Sequence, residues 1–163
     1  MQQLRITLEY THTSTFDLDI TAFMLANDKY IPNENFMVYY HNLISADGSV
    51  KYEQALSNGL QNKYLDIDLG KTAQEIEEIY FIISIYDAAN RNQSFGKIPQ
   101  AQVHIVDTEM NKKLNTYIIN TNFPHETSIE LGRLFARNGR WRWETLSVGY
   151  KESLEKFVNK YVF

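Results

Sequence analysis

Along the chain, apolar and polar residues alternate or run apolar over short stretches: Leu4 to Tyr10, Phe16 to Ala26, Phe36 to His41, Tyr64 to Leu69, Ile79 to Tyr86, Ala101 to Val106 and Leu114 to Asn120. Segments of this length, rich in Ile, Val, Tyr and Phe, predict β-strands. Between them lie Asp28-Lys29, Asp47-Gly48, Asn58-Gly59, Asn90 to Asn92 and Asn111 to Lys113, which tolerate positive φ or cap their own backbone. Two further strands, Ser128 to Arg137 and Arg140 to Ser147, flank Asn138-Gly139, the dipeptide of a tight hairpin. After Gly149, the residues Tyr150, Leu154, Phe157, Val158, Tyr161 and Val162 recur at helical spacing, with Lys151, Glu152, Glu155 and Lys156 on the other face. Thr72 followed by Glu75 makes a capping box that predicts a short helix from Ala73 through Glu77. The pattern reads as mainly β: a two-sheet β-sandwich with a short connecting helix and a C-terminal amphipathic helix, in one domain over residues 1–163.

Composition narrows the function classes. The 163 residues are 44% hydrophobic and 22% charged, which excludes a disordered chain. A formal net charge of −4 provides no overall positive field for nucleic acid or anionic lipid, and neither is expected as a partner. The absence of cysteine excludes disulfides, thiol catalysis and zinc–thiolate sites. The start Met1-Gln2-Gln3-Leu4-Arg5 is not that of a secretory signal, and no apolar run is long enough for a membrane span, so a cytoplasmic protein without an integral membrane segment is expected.

The chemistry-bearing feature is Phe16-Asp17-Leu18-Asp19-Ile20, which sets two carboxylates on one side of an apolar segment. Asp disfavours strands, and two same-sided carboxylates repel unless something compensates them. Two readings stay open: the pair accepts hydrogen bonds from loops or meets a lysine or arginine at a sheet edge, or it holds calcium. Asp87 closes an apolar strand and opens a polar loop, where the topology can bring it to the pair, so Asp17, Asp19 and Asp87 form the candidate metal set. The Asp-x-Asp pattern does not continue into an EF-hand loop.

Other constellations read as structural. Arg133, Arg137, Arg140 and Arg142 surround Trp141 and Trp143, but strand alternation puts the indoles on one face, toward the core, and the charges on the other, toward water. His12, His41, His104 and His125 lack metal-ligand spacing, and Phe95-Gly96-Lys97-Ile98 lacks the upstream glycine and following Ser or Thr of a phosphate loop. No catalytic residues are assigned. The eleven tyrosines fill half-buried sheet surfaces or, where exposed, supply a contact surface for protein partners.

In order, the chain carries Phe16-Asp17-Leu18-Asp19, Ser45-Ala46-Asp47-Gly48-Ser49-Val50, Ile85-Tyr86-Asp87-Ala88, Gln93-Ser94-Phe95-Gly96, Glu126-Thr127, Gly132-Arg133-Leu134, Trp141-x-Trp143 and Gly149-Tyr150. From about Thr15 onward this series resembles the TerD family of bacterial tellurium-resistance and stress-response proteins. The resemblance implies a β-sandwich with flanking helices, calcium binding in many members and no enzymatic activity. It also implies an Asp- and Gly-rich stretch after Asp-Gly-Ser-Val, with a Gly-Asp-Asn triplet and a later Gly-Asp-Asp-Glu. Here that stretch runs from Glu53 to Lys63 and holds Ala, Gln, Asn and Lys instead, and Asn35 stands where an acid is expected. Calcium affinity rises with the number of anionic oxygens, so a weak or lost calcium site is expected.

The resulting expectation is a non-enzymatic stress-response interaction or scaffold module. Its partners would be other proteins, a second copy or related TerD-like chains. A genuine calcium sensor or buffer is the alternative, and a metal-dependent hydrolase using the same acids is the third reading.

Overall fold

A computed structural model describes residues 2–163. Among them, ten strands form two five-stranded antiparallel sheets. The first has the order β4 (Val50–Ser57), β5 (Leu60–Asp68), β1 (Gln3–Thr11), β7 (Ala101–Asp107) and β8 (Lys112–Ile118). The second has the order β10 (Arg140–Tyr150), β9 (Ser128–Arg137), β6 (Glu78–Ile85), β2 (Leu18–Leu25) and β3 (Met37–Val38). Three short helices complete the chain: α1 (Ala88–Arg91), α2 (Ile119–Asn122) and α3 (Glu155–Tyr161).

Alternation explains the layers. In β1, Leu4, Ile6, Leu8 and Tyr10 are buried while the residues between them are half-exposed, and Ala101, Val103 and Ile105 repeat the pattern in β7. Every residue of β2 is buried, as expected of a strand covered on both faces. Phe23 of β2 and its cross-strand neighbour Tyr80 both pack against Tyr161 of α3, at ring separations of 5.1 Å. The predicted hairpin at Asn138-Gly139 is present, and both residues have positive φ, 53° and 74°. That geometry suits a two-residue loop, and Gly carries no Cβ to oppose it.

The elements also depart from the sequence reading. No helix covers Ala73 to Glu77: the Glu77 N–H, which a helix would bond to the Ala73 carbonyl, is taken by Leu25, while Ile76 N–H closes a tighter turn on the Ala73 carbonyl. Thr72 N–H closes the 3₁₀ turn Leu69–Lys71, Ala73 N–H donates to Asp47 Oδ2 at 2.8 Å, and Glu77 N–H donates to Leu25 O. The short helices lie instead after β6 and after β8. The C-terminal helix begins at Glu155 rather than near Tyr150, because β10 extends through Tyr150, paired with Ser128. Phe36 to His41 supplies only the two residues of β3. The stretch from Glu53 to Lys63 is a strand hairpin, β4 and β5, turning at Asn58-Gly59.

Trp141 and Trp143 are half-buried and do not fill the core, because β10 is an edge strand. Trp143 packs on Phe81 at 5.8 Å and donates from Nε1 to Thr145 Oγ1. It lies across Gly132, where an added Cβ would stand 2.4 Å from the indole. Arg137, Arg140 and Arg142 are exposed, as expected for the charged face. Arg133 is not simply solvated: it donates to Glu78 Oε2 at 2.6 Å and to Glu144 Oε1 at 2.9 Å.

Candidate functional site: an acidic pair around a buried ammonium

The two acids meet a lysine from the opposite sheet. In β5, Lys63, Leu65 and Ile67 share the buried face, so the strand period turns the Lys63 side chain inward. Register fixes its place, since Lys63 lies between Leu8 of β1 and Gln54 of β4. The ammonium donates to Asp17 Oδ1 at 3.0 Å and to the Leu18 carbonyl, and it stands 4.0 Å from Asp19 Oδ1. The Tyr10 ring lies 5.7 Å from it. Asp17 sits just before β2 with its side chain 58% exposed, whereas the side chains of Asp19 and Lys63 are 5% and 6% exposed.

Tyr52 of β4 completes the cluster by donating its hydroxyl to Asp19 Oδ1 at 2.7 Å. The other oxygen, Asp19 Oδ2, is buried and has no hydrogen-bond partner among the described residues. Two carboxylates and one ammonium leave an excess negative charge, and Asp19, Lys63 and Tyr52 are each biased toward the protonated form. Burial pushes the Asp19 carboxyl above its ordinary range, with Lys63 and Tyr52 only partly offsetting it. Burial alone would lower the Lys63 pKa, but the charge of Asp19, joined by Tyr10 and Asp17, holds the ammonium above its usual value. Burial and then the charge of Asp19 push the Tyr52 hydroxyl far up, so it remains a donor.

Asp87 stands apart from this bridge. It adopts a left-handed conformation, φ 56°, at the start of α1, where it accepts from Asn90 Nδ2 and lies 3.6 Å from Arg91 Nε. Asp87 and Asp19 line one cavity, and Asp17 is not among its lining residues. Among the described residues, no group of three Asp, Glu, His or Cys side chains is placed to hold a metal ion. Calcium takes six to eight oxygen ligands. The Lys63 ammonium lies among the Asp17, Leu18 and Asp19 oxygens.

Sequence reasoning left Tyr52 and Lys63 out of the site. The available signal was the parity of Lys63 with Leu65 and Ile67, which is visible only when the strand is begun before Tyr64.

The architecture defines a β-sandwich module whose acidic pair is bridged by a lysine of the opposite sheet. The chain belongs to the TerD family, and the TerD domain model matches residues 1–161. It is 30% identical over 154 residues to the tellurium resistance protein TerD of Serratia marcescens, covering 93% of this chain and 80% of that protein. It is also 30% identical over 158 residues to general stress protein 16U of Bacillus subtilis, covering 95% of this chain and 82% of that protein. The solved structure of a homologue of the telluride resistance protein TerD, from Streptomyces coelicolor A3(2), shares the fold, with a TM-score of 0.78, 15% identity and coverage of 96% and 95%. No helix among the described residues is long and apolar enough to cross a membrane.

Proposed function

We propose that this protein is a non-enzymatic interaction module of a bacterial stress response, with an acidic pair bridged by its own lysine, so that its fold does not depend on calcium. The observation carrying this reading is the Lys63 ammonium, held by Asp17, the Leu18 carbonyl and Asp19. A strong calcium site is disfavoured because the ion would have to displace a buried, hydrogen-bonded charge. The relatives' names support the stress-response assignment. The outer edges of β8 and β10 and of β4 beyond Tyr52, which pair with no other strand among the described residues, support strand addition to another protein or a second copy.

Thermal melting in millimolar calcium and in chelator tests the calcium half of the proposal. A site with a dissociation constant of about 10 μM would gain about 2.7 kcal/mol at about 1 mM calcium. That gain would raise the midpoint by about 5–10 °C in a domain of this size. Equal midpoints are expected for the native chain. Lys63→Gln, which removes the charge and leaves the two acids, should acquire a calcium-dependent rise. A rise of several degrees in the native chain would overturn the proposal and establish a calcium-responsive protein.

A further inference from the structure

The cavity beside this cluster has a chemistry of its own. It encloses about 520 Å³ where the segment after β3, the end of β6, the start of α1 and the region entering α3 meet. Three carboxylates line it, Asp19, Asp87 and Glu155, and no Lys, Arg or His is among its lining residues. The aromatic part of the wall is Tyr39, Tyr40 and Tyr86. Tyr40 and Tyr86 are 42% and 52% exposed, unusually open for large side chains, and the Tyr39 and Tyr40 rings meet edge to face at 5.2 Å. Met37 and Val158 add apolar surface.

The negative charge is unevenly balanced. Asp87 has Arg91 beside it, and Glu155 makes no ion pair among the described residues. Asp19 is the decisive group: its side chain is 5% exposed, it lines the cavity, and its Oδ2 lacks a donor. A buried carboxylate oxygen without a donor is costly, so a ligand that brings an N–H donor gains where an apolar or anionic group would not. The chain shows the preferred chemistry at the rim, where the Arg91 guanidinium lies 5.4 Å from the Tyr86 ring centroid and beside Asp87. The acids are not gathered as a metal site requires, and an anion would meet three carboxylates.

We propose that this cavity binds a small organic cation, a primary alkylammonium whose N–H groups bond to Asp19 while its methylenes lie against Tyr40 and Tyr86. The inference shares Asp19 with the lysine bridge, whose ammonium stands 4.0 Å from Asp19 Oδ1, but Lys63 does not line the cavity, so ammonium titration and the calcium melt can fail separately. Isothermal titration of the full chain with n-hexylammonium chloride tests it, with hexan-1-ol and sodium hexanoate as neutral and anionic counterparts and calcium chloride as a plain cation. Saturable binding of the ammonium alone is expected, at least about tenfold tighter than the alcohol, since one charge-assisted bond to a buried carboxylate supplies that ratio. Asp19→Asn and Tyr86→Ala should each weaken it, while Asp68→Asn, at the far end of β5, should not. If Asp19→Asn does not fold, Glu155→Gln on the exposed first turn of α3 provides the charge test and should weaken binding severalfold. Equal affinity for ammonium and alcohol, or unchanged affinity in a folded Asp19→Asn or in both Tyr86→Ala and Glu155→Gln, overturns the proposal.

Discussion

Replacing Lys63 with Met keeps the length of the side chain and removes its charge, which isolates the electrostatic role of the bridge. The loss is unequal across its partners. Asp17 is 58% exposed, so water replaces the ammonium there and that contact is worth at most about 1 kcal/mol. Asp19 is 5% exposed and would keep only the Tyr52 hydroxyl, while the Leu18 carbonyl would keep only the Tyr10 hydroxyl at 3.5 Å. Breaking a buried ion pair from one side costs about 3–5 kcal/mol, and the 4.0 Å separation from Asp19 puts this case near the lower end. We therefore expect Lys63→Met to lose about 3 kcal/mol near neutral pH, or about 6–12 °C in melting midpoint.

The pH dependence fixes the sign. Burial raises the native Asp19 carboxyl above its unfolded value, and Lys63 is the largest influence pulling it back down. Without Lys63 it rises further, so the variant takes up a proton on folding at a pH where the native chain does not. Its deficit should be greatest above the variant's raised Asp19 pKa and should shrink as the pH falls through that value toward the native one. Urea unfolding followed by circular dichroism, at about pH 7 and at about pH 5, measures both quantities. Lys63→Met combined with Asp19→Asn should lose less than the sum of the single changes, by about 1–3 kcal/mol. A loss under about 1 kcal/mol, strict additivity, or a deficit that widens on acidification would refute the argument.

Two other predictions test the frame around the site. Gly132→Ala would place a methyl group 2.4 Å from the Trp143 ring and 2.7 Å from the Glu144 carbonyl, and should cost about 1–3 kcal/mol in urea unfolding with a shift in tryptophan emission; an unchanged emission spectrum and stability would show that the indole does not lie across that position. Asp47 accepts from the Ser45 and Ser49 hydroxyls and from the Ser49 and Ala73 N–H groups; burial would raise its carboxyl, but these donors, Ala73 foremost, hold it below the ordinary range. Its stabilisation is therefore present above the unfolded carboxylate pKa and lost as pH falls through the lower folded value, so the roughly 1.5–3 kcal/mol cost of Asp47→Asn near neutral pH should shrink in acid, and a cost independent of pH from about 6 down to about 2 would count against it.

What the sequence made legible follows from how local each cause is. The turn at Asn138-Gly139 could be read directly, because two residues and the sign of φ determine it. The capping box at Thr72 and Glu75 is equally local, yet no helix forms, because Leu25 of the sheet, distant in sequence, takes the Glu77 N–H that a helix would bond to Ala73. The acidic pair lies between these cases. Asp17-Leu18-Asp19 declares a need for compensation, since a buried carboxylate must find a donor or a cation, but the sequence does not state which group arrives. Only the register of β5 against β1 and β4 places Lys63, rather than the exposed Lys51, on the buried face opposite the pair. The same stretch hides its strand, because Glu53 to Ser57 of β4 are exposed along a sheet edge and carry little apolar patterning. A stretch that resembles an eroded ion-binding loop is thus the element that delivers the replacement charge. If that inference is sound, returning an acid at position 63 must do more than weaken the fold: Lys63→Asp should make stability depend on added cation, because three carboxylates would then converge where the ammonium now sits.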